Sequence, residues 1–416
     1  MSSSVRLLVV VNVYSPDLGG GILFSDLLEG LVERGVDVTV RCAYPYYPEW
    51  TDKTGRNGLA IHRYEDRGVH VERLGIYIPG NPNSLVQRMV YESSFFFSLL
   101  RTLPGSRRFD LVMAYCPLVG GVAFGAVLKL LYRKRLWLNV QDLSAAAAAA
   151  GGIASGGIIG KVLESIQSVL FNRAEVWSTI SPVMREKLSP IARHDQPVLL
   201  FPNWMHRSLE EAVQQFPRDP DHRPASPVRL LYSGNLGTKQ DLQRLCESLR
   251  SSNVDFIFDI RAAGSTARAL REWAAREQDD RFQLSGLSDE DDFAKALQQA
   301  DLFVITEKSG SGGSFIPSKL VPAAAAGTPV LAISDRDSPL GAEVIENQIG
   351  IHHTWDDVHT VADTLAGLAS NPNYASWQKN SRKRTSYYAR DAVIDRYYRH
   401  IVEVAADRSP SADGDE

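Results

Sequence analysis

The chain has 416 residues, 44% of them hydrophobic and 23% charged, and a formal net charge of −4. That balance excludes a disordered, collagen-like or coiled-coil chain, and without a basic surplus to neutralise phosphates it excludes a dedicated nucleic-acid binder. The three cysteines, Cys42, Cys116 and Cys246, are odd in number and far apart, so they give neither a disulfide framework nor zinc-ligand spacing, and they suit a reducing compartment.

Residues 1–4 are polar, and the apolar run after them is too short for a secretory core. Residues 6–13 are a largely apolar run of strand length, ending in Tyr14-Ser15-Pro16-Asp17 and then Gly19, Gly20 and Gly21. Ile22, Leu23, Leu27, Leu28, Leu31 and Val32 recur at three- and four-residue spacing, which predicts a helix closing at Gly35. Val36, Val38, Val40 and Cys42 alternate along one strand face. Strand, glycine loop, helix and strand open a parallel α/β sheet. Residues 85–103 are an apolar helix candidate carrying Phe95, Phe96 and Phe97, with Arg101, Arg107 and Arg108 nearby. That pairing fits contact with an anionic membrane surface, and equally a core helix beside ordinary surface charge. Residues 111–114 read as a strand, 120–131 as a helix, and 135–140 and 176–180 as strands. The apolar stretch 111–131 holds Pro117, glycines and Lys129, so it lacks the ~20 continuous apolar residues of a membrane span. Residues 144–160 are an alanine, glycine and serine tract whose glycines favour a mobile loop.

The texture changes at 210–227, a polar, proline-broken segment of linker type. The pattern then restarts, with a strand at 228–232, a glycine loop at 233–239 and a helix from Leu242. A strand at 256–260 ends at Ala263-Gly264, and further strands follow at 302–306 and 329–333. The expected organisation is an N-terminal α/β domain over 1–205, a linker over 206–227, a second α/β domain over 228–390 and a disordered tail over 405–416.

The candidate sites lie at strand ends. Gly19, Gly20 and Gly21 lie between a strand and a helix, where glycines let a backbone approach a ligand and a helix N-terminus meets an anion; a plain tight turn is the competing reading. Ser233, Gly234, Asn235, Gly237 and Lys239 repeat the design, with backbone N–H groups and an ammonium suited to a diphosphate, against a capped turn with a solvated lysine. Glu307-Lys308 end a strand, and a serine-glycine loop through Ser314 leads to Ser318, Lys319 and Leu320 at a helix start. Ser318 and Lys319 can hold phosphate there, or the segment is a surface loop. Gln141 and Asp142 end another strand, where a carboxylate touches ligand or caps a helix. No histidines or cysteines cluster at metal-ligand spacing, and no nucleophile–base order stands out.

The run from Pro317-Ser318-Lys319-Leu320 to Ala326-Gly327-Thr328-Pro329-Val330 resembles the family 4 retaining glycosyltransferases of the GT-B fold. Pro45-Tyr46-Tyr47-Pro48-Glu49-Trp50, Asn81-Pro82-Asn83-Ser84, Gln141-Asp142, Thr179-Ile180-Ser181-Pro182, Phe201-Pro202-Asn203-Trp204 and Tyr232-Ser233-Gly234-Asn235-Leu236-Gly237 look like the branch of the colanic-acid fucosyltransferase and other exopolysaccharide enzymes. The resemblance implies two Rossmann-like domains facing a central cleft, with a C-terminal helix at 391–404 packed back on the first. It implies transfer of a sugar from a nucleoside diphosphate donor to a saccharide hydroxyl, with retained configuration and no metal or other cofactor. Donor binding would fall to Gly20, Gly21, Ser233, Gly234, Asn235, Gly237, Lys239, Gly264, Ser314, Ser318, Lys319 and Leu320, the acceptor side to Gly19, Gln141 and Asp142, and catalysis to Asp142 and Lys239. The paired glutamates of many members fall here on Ser314 and Pro322, and the histidine often found before the Gln141 position is Asn139. The expected setting is cytoplasmic, on the inner membrane face, with a lipid-linked saccharide as acceptor. The rival readings are a degenerate acceptor-binding scaffold and a nucleotide-sugar epimerase; the latter needs acid and base groups that are not evident here.

Overall fold

The computed structural model describes residues 4–17, 20–82, 84–116, 118–141, 169–193, 196–310 and 317–406. The chain divides into two compact units, Met1–Pro202 with Asp391–Glu416, and Asn203–Arg390.

Unit one is built on eight strands: β1 (Arg6–Val10), β2 (Asp37–Ala43), β3 (His62–Asp66), β4 (Val69–Leu74), β5 (Leu111–Cys116), β6 (Arg135–Val140), β7 (Val176–Thr179) and β8 (Val198–Leu200). Their order is β3-β4-β2-β1-β5-β6-β7-β8, and every neighbour pair is parallel except β3 with β4. The chain winds outward from β1 to β4, then returns to lay β5 on the other side of β1. That reversal is the switch point at which doubly wound sheets bind ligands. Leu7, Leu8, Val9 and Val10, and all of β5, are buried, as expected of central parallel strands covered on both faces.

The β3–β4 hairpin is absent from the sequence expectations. His62-Arg63-Tyr64-Glu65-Asp66 is an exposed, mostly charged edge strand with no apolar alternation to read, and charge on an edge blocks pairing with other chains. The Leu85–Leu100 helix packs one face into the core and leaves apolar residues exposed elsewhere. Tyr91, Phe95 and Leu99 are buried one turn apart, while Val86, Met89, Val90 and Phe97 are exposed.

The Arg390–Ala405 helix packs within unit one. Tyr397 stacks on Phe201, with ring centroids 4.0 Å apart, and accepts a 2.8 Å hydrogen bond at its hydroxyl from Asn139 Nδ2 on β6. In the first two turns of the helix Arg34 bridges to Asp391 and Asp395.

Unit two carries six parallel strands: β9 (Val228–Asn235), β10 (Phe256–Ala263), β11 (Phe282–Ser285), β12 (Leu302–Thr306), β13 (Val330–Ile333) and β14 (Gly350–His353). The order β11-β10-β9-β12-β13-β14 puts the switch point between β9 and β12.

The segment expected as a linker is ordered and belongs to unit two. Its Arg207–Gln215 helix buries Ala212 and Val213 against the Glu290–Gln299 and Leu320–Ala326 helices. Beyond it, the buried Arg218 donates to the carbonyls of Leu297, Gln298 and Ala300 at 3.2, 2.9 and 2.5 Å. A guanidinium at a helix C-terminus satisfies carbonyls that have no partner within the helix. The prolines that signal a linker therefore flank a side chain that ties the segment down.

Candidate functional site

At the switch point of unit two, Lys239, Gln240, Ile305, Thr306, Glu307, Pro317 and Lys319 line a cavity of about 50 Å3. Lys319 directly precedes the Leu320–Ala326 helix, and its side chain reaches the end of β9. Its Nζ donates to the Tyr232 hydroxyl at 2.6 Å and to the Asn235 carbonyl at 3.1 Å, and lies 4.1 Å from the Tyr232 ring centroid. Burial pushes the ammonium down to about 7. The Tyr232 hydroxyl donates in turn to the Asn235 carbonyl at 3.0 Å. Lys239 is exposed, and its carbonyl accepts from the Lys308 N–H at 2.7 Å, tying the loop after β9 to the end of β12.

Several sequence expectations change here. Ser233, Gly234 and Asn235 are the last residues of β9, not a loop, and register with Arg261, Ala262 and Ala263 on β10. The expected cradle of free N–H groups is largely closed: Leu236 N–H donates to Ala263 O at 2.7 Å, and Gly237 N–H to Gln240 Oε1 at 2.8 Å. Leu320 is fully buried, and its N–H donates to Pro317 O, which leaves it a packing role rather than a donor contact. The cationic side chains lining this cavity are Lys239 and Lys319. Ser318 is exposed at the edge of this region.

The glycines differ in kind. Gly234 has a φ of +134°, and a Cβ there would lie 2.5 Å from Lys319 Cε. Gly264 has a φ of +115°, and its Cβ would meet Leu236 O at 2.5 Å and Asn235 Oδ1 at 2.3 Å. A Cβ on Gly237 meets only ordinary contacts, with Gln240 at 3.5 Å and Ser265 at 3.7 Å. Gly264→Ala should therefore cost ~1–3 kcal/mol of stability, while Gly237→Ala should be close to neutral; denaturant unfolding of both variants checks the contrast.

The third candidate segment of the sequence begins at Glu307 without a role for its carboxylate, and Thr306 falls just outside it. Glu307 is 8% exposed, its Oε2 has no hydrogen-bond partner, and burial, reinforced by Asp335, pushes its carboxyl up to about 7 against the opposing pull of Lys239. Thr306 is 2% exposed, and its Oγ1 also lacks a partner. Trp355 Nε1 donates to the Glu307 carbonyl at 2.7 Å and fixes the strand end.

Unit one has a second cavity, of about 150 Å3, at its own switch point. Phe24, Trp50, Tyr91 and Tyr115 supply aromatic walls, and Asn12, Arg88, Glu92 and Gln141 supply polar groups. Gln141 Nε2 donates to Asn139 Oδ1 at 2.6 Å, so the side chain that holds Tyr397 also orients Gln141. Glu92 accepts from Gly120 N–H at 3.0 Å, and burial pushes its carboxyl up to about 7. Gly21 is buried, with Val13, Tyr14 and Asp17 3.2–3.3 Å from its would-be Cβ, so close packing is its role; Gly20 is exposed. Gly19, Asp142 and Ser314, with the 144–160 tract, lie outside the described residues.

Among the described residues, no group of three or more His, Cys, Asp or Glu side chains could hold a metal ion, and no helix is long and apolar enough to cross a membrane.

The comparisons with known proteins agree with this architecture. Residues 19–204 match the glycosyl transferase 4-like domain, and residues 213–392 match the glycosyl transferases group 1 domain. WcaI of Escherichia coli (strain K12), which bears the name of a colanic acid biosynthesis glycosyl transferase, is 29% identical over 350 residues, covering 81% of this chain and 85% of WcaI. Among solved structures, the sucrose-phosphate synthase of Thermosynechococcus elongatus superposes with a TM-score of 0.71 at 16% identity, covering 97% of this chain and 99% of that one. HepE of Anabaena, solved in complex with UDP-glucose, gives 0.65 at 13% identity, covering 96% and 99%. The two α/β units share their fold with these structures, and the two domain matches lie in tandem along the chain. The chain is a glycosyltransferase and belongs to family 4 of the GT-B fold.

Proposed function

We propose that the chain moves a sugar from a nucleoside diphosphate sugar to a hydroxyl of a saccharide, with retention of configuration, in exopolysaccharide biosynthesis. The observation that carries this reading is the pair Lys239 and Lys319, two ammonium groups lining one cavity at the switch point of unit two. As the bond between the anomeric carbon and the diphosphate oxygen breaks, negative charge grows on that oxygen. Cations fixed beside it stabilise the transition state more than the ground state. The names of similar proteins, WcaI for colanic acid and HepE with UDP-glucose, support the substrate class. The aromatic and amide-lined cavity of unit one suits a saccharide acceptor, with Gln141 in its wall and Asp142 next in sequence as the acceptor-side carboxylate. Lysines meet the diphosphate charge without a metal ion, so EDTA should leave donor binding unchanged in calorimetry.

The acceptor on this reading is lipid-linked and the enzyme is peripheral on a cytoplasmic membrane face. Val86, Met89, Val90 and Phe97 are exposed on one helix, with Arg88 and Arg101 exposed on the same segment. Apolar contact and lipid charge act together in such binding, and the charge share is screened by salt. Co-sedimentation with anionic vesicles that weakens in high salt is the expected result; absence from every vesicle type removes the membrane partner.

Because Lys319 titrates near 7 in the empty site, diphosphate binding should take up a proton above that pH. Affinity should fall about tenfold per pH unit above 7, and Lys319→Met should remove that share of the slope. Calorimetry in buffers of different ionisation enthalpy reads the proton directly. The test of the reaction itself is release of nucleoside diphosphate from a panel of nucleotide-sugars, dependent on added saccharide acceptor. Release without transfer, or none with any donor, contradicts the reading.

A further inference from the structure

Two residues in the wall of the unit-two cavity each carry a buried polar atom with no hydrogen-bond partner. Glu307 Oε2 and Thr306 Oγ1 belong to adjacent residues at the end of β12, and both residues are more than nine-tenths buried. Leaving such groups unsatisfied costs stability, so their retention on two adjacent residues of one cavity wall calls for a partner. They share that cavity with Lys239 and Lys319, the cations assigned to the diphosphate. A carboxyl is a poor companion for a phosphate but a good one for a hydroxyl, from which it accepts a hydrogen bond. A threonine hydroxyl both donates and accepts, so Thr306 can serve a ligand hydroxyl in either role, while the Glu307 carboxylate accepts from one.

We propose that Glu307 and Thr306 are the hydroxyl-recognising element of the donor site, holding a hydroxyl of the donor's carbohydrate portion next to the phosphates at Lys239 and Lys319. The inference rests on the donor-site reading above and deepens it. The hydroxyl has two possible sources, the ribose and the transferred sugar, and the same chemistry serves both. The geometry also explains how the chain recognises carbohydrate without the paired glutamates whose places are taken by Ser314 and Pro322.

The test uses the full chain and isothermal calorimetry. The probes are inorganic pyrophosphate, whichever of UDP, GDP and ADP the wild-type protein binds, and the corresponding glucose-bearing nucleotide. Glu307→Met, which keeps bulk and removes the carboxyl, should weaken the hydroxyl-bearing ligand at least tenfold while pyrophosphate affinity does not weaken. Thr306→Val should weaken the same ligand severalfold. Glu307→Gln, which keeps an accepting oxygen, should recover most of the affinity. Loss confined to the nucleotide-sugar assigns the hydroxyl to the transferred sugar, and loss shared with the plain nucleoside diphosphate assigns it to the ribose. Glu307→Met should also raise the melting temperature, because it removes an unsatisfied buried group that serves the ligand rather than the fold. Unchanged affinity for every probe in Glu307→Met and Thr306→Val, or equal weakening of pyrophosphate, overturns the proposal. Failure of the wild-type protein to bind any nucleoside diphosphate overturns the donor-site reading itself, and this proposal with it.

Discussion

Replacing Lys239 or Lys319 by alanine is expected to weaken nucleoside diphosphate binding by ~1.5–3 kcal/mol each, the worth of a charge-assisted hydrogen bond. That corresponds to about 10- to 150-fold in dissociation constant. The two side chains line one cavity, so the double variant should depart from simple additivity. They differ in kind. Lys239 is exposed and should act mainly through charge, so its share should shrink in high salt. Lys319 lies against the Tyr232 ring and already donates to Tyr232 and Asn235, so its ammonium is held in place before the ligand arrives. Its removal strips a donor from both groups, and Lys319→Met, which keeps the stem, separates that packing loss from the loss of charge. If neither variant changes affinity in calorimetry, the diphosphate does not sit between these lysines.

The largest stability effect is expected at Tyr397. Its ring is 1% exposed, stacks on Phe201 and lies 6.1 Å from Trp137, so Tyr397→Ala should cost ~3–5 kcal/mol, in the range of large-to-small core substitutions. Tyr397→Phe keeps the ring and loses the bond from Asn139, and should cost ~1 kcal/mol. Because Asn139 also accepts from Gln141, the phenylalanine variant should loosen a side chain in the wall of the unit-one cavity. Chemical denaturation ranks the two variants. A small effect of Tyr397→Ala would mean that the C-terminal helix does not hold unit one together.

The fold was legible where periodicity and glycine placement coincide. The strand, glycine, helix opening at residues 6–35 and its repeat from Val228 identify the two central strands, and the parallel order follows from the alternation of elements. The edges were not legible, because an edge strand such as β3 carries charge rather than an apolar pattern. The 206–227 segment was misread because proline marks a break in regular structure and not a lack of packing; the contacts that order it, from Arg218 to carbonyls some eighty residues on, are long-range.

For the site, lysine at a helix start pointed to Lys319, but not to Tyr232 as its support. The glycine loop suggested free N–H groups, which Ala263 and Gln240 occupy. Glu307 carried a signal that could have been used. A carboxylate immediately after a strand of four apolar residues and a threonine, on the far side of the switch from β9, stands at the ligand end of the sheet. Read beside Lys308 it looks like surface charge, and only its burial distinguishes it.

The most direct test of the account is calorimetry of the wild-type protein and the Lys239→Ala, Lys319→Ala double variant against UDP, GDP and ADP, with melting temperatures measured alongside. The account predicts that at least one nucleoside diphosphate binds the wild-type chain without added metal, and that the double variant, still folded, binds it at least a hundredfold more weakly. Undiminished binding by the double variant would contradict it.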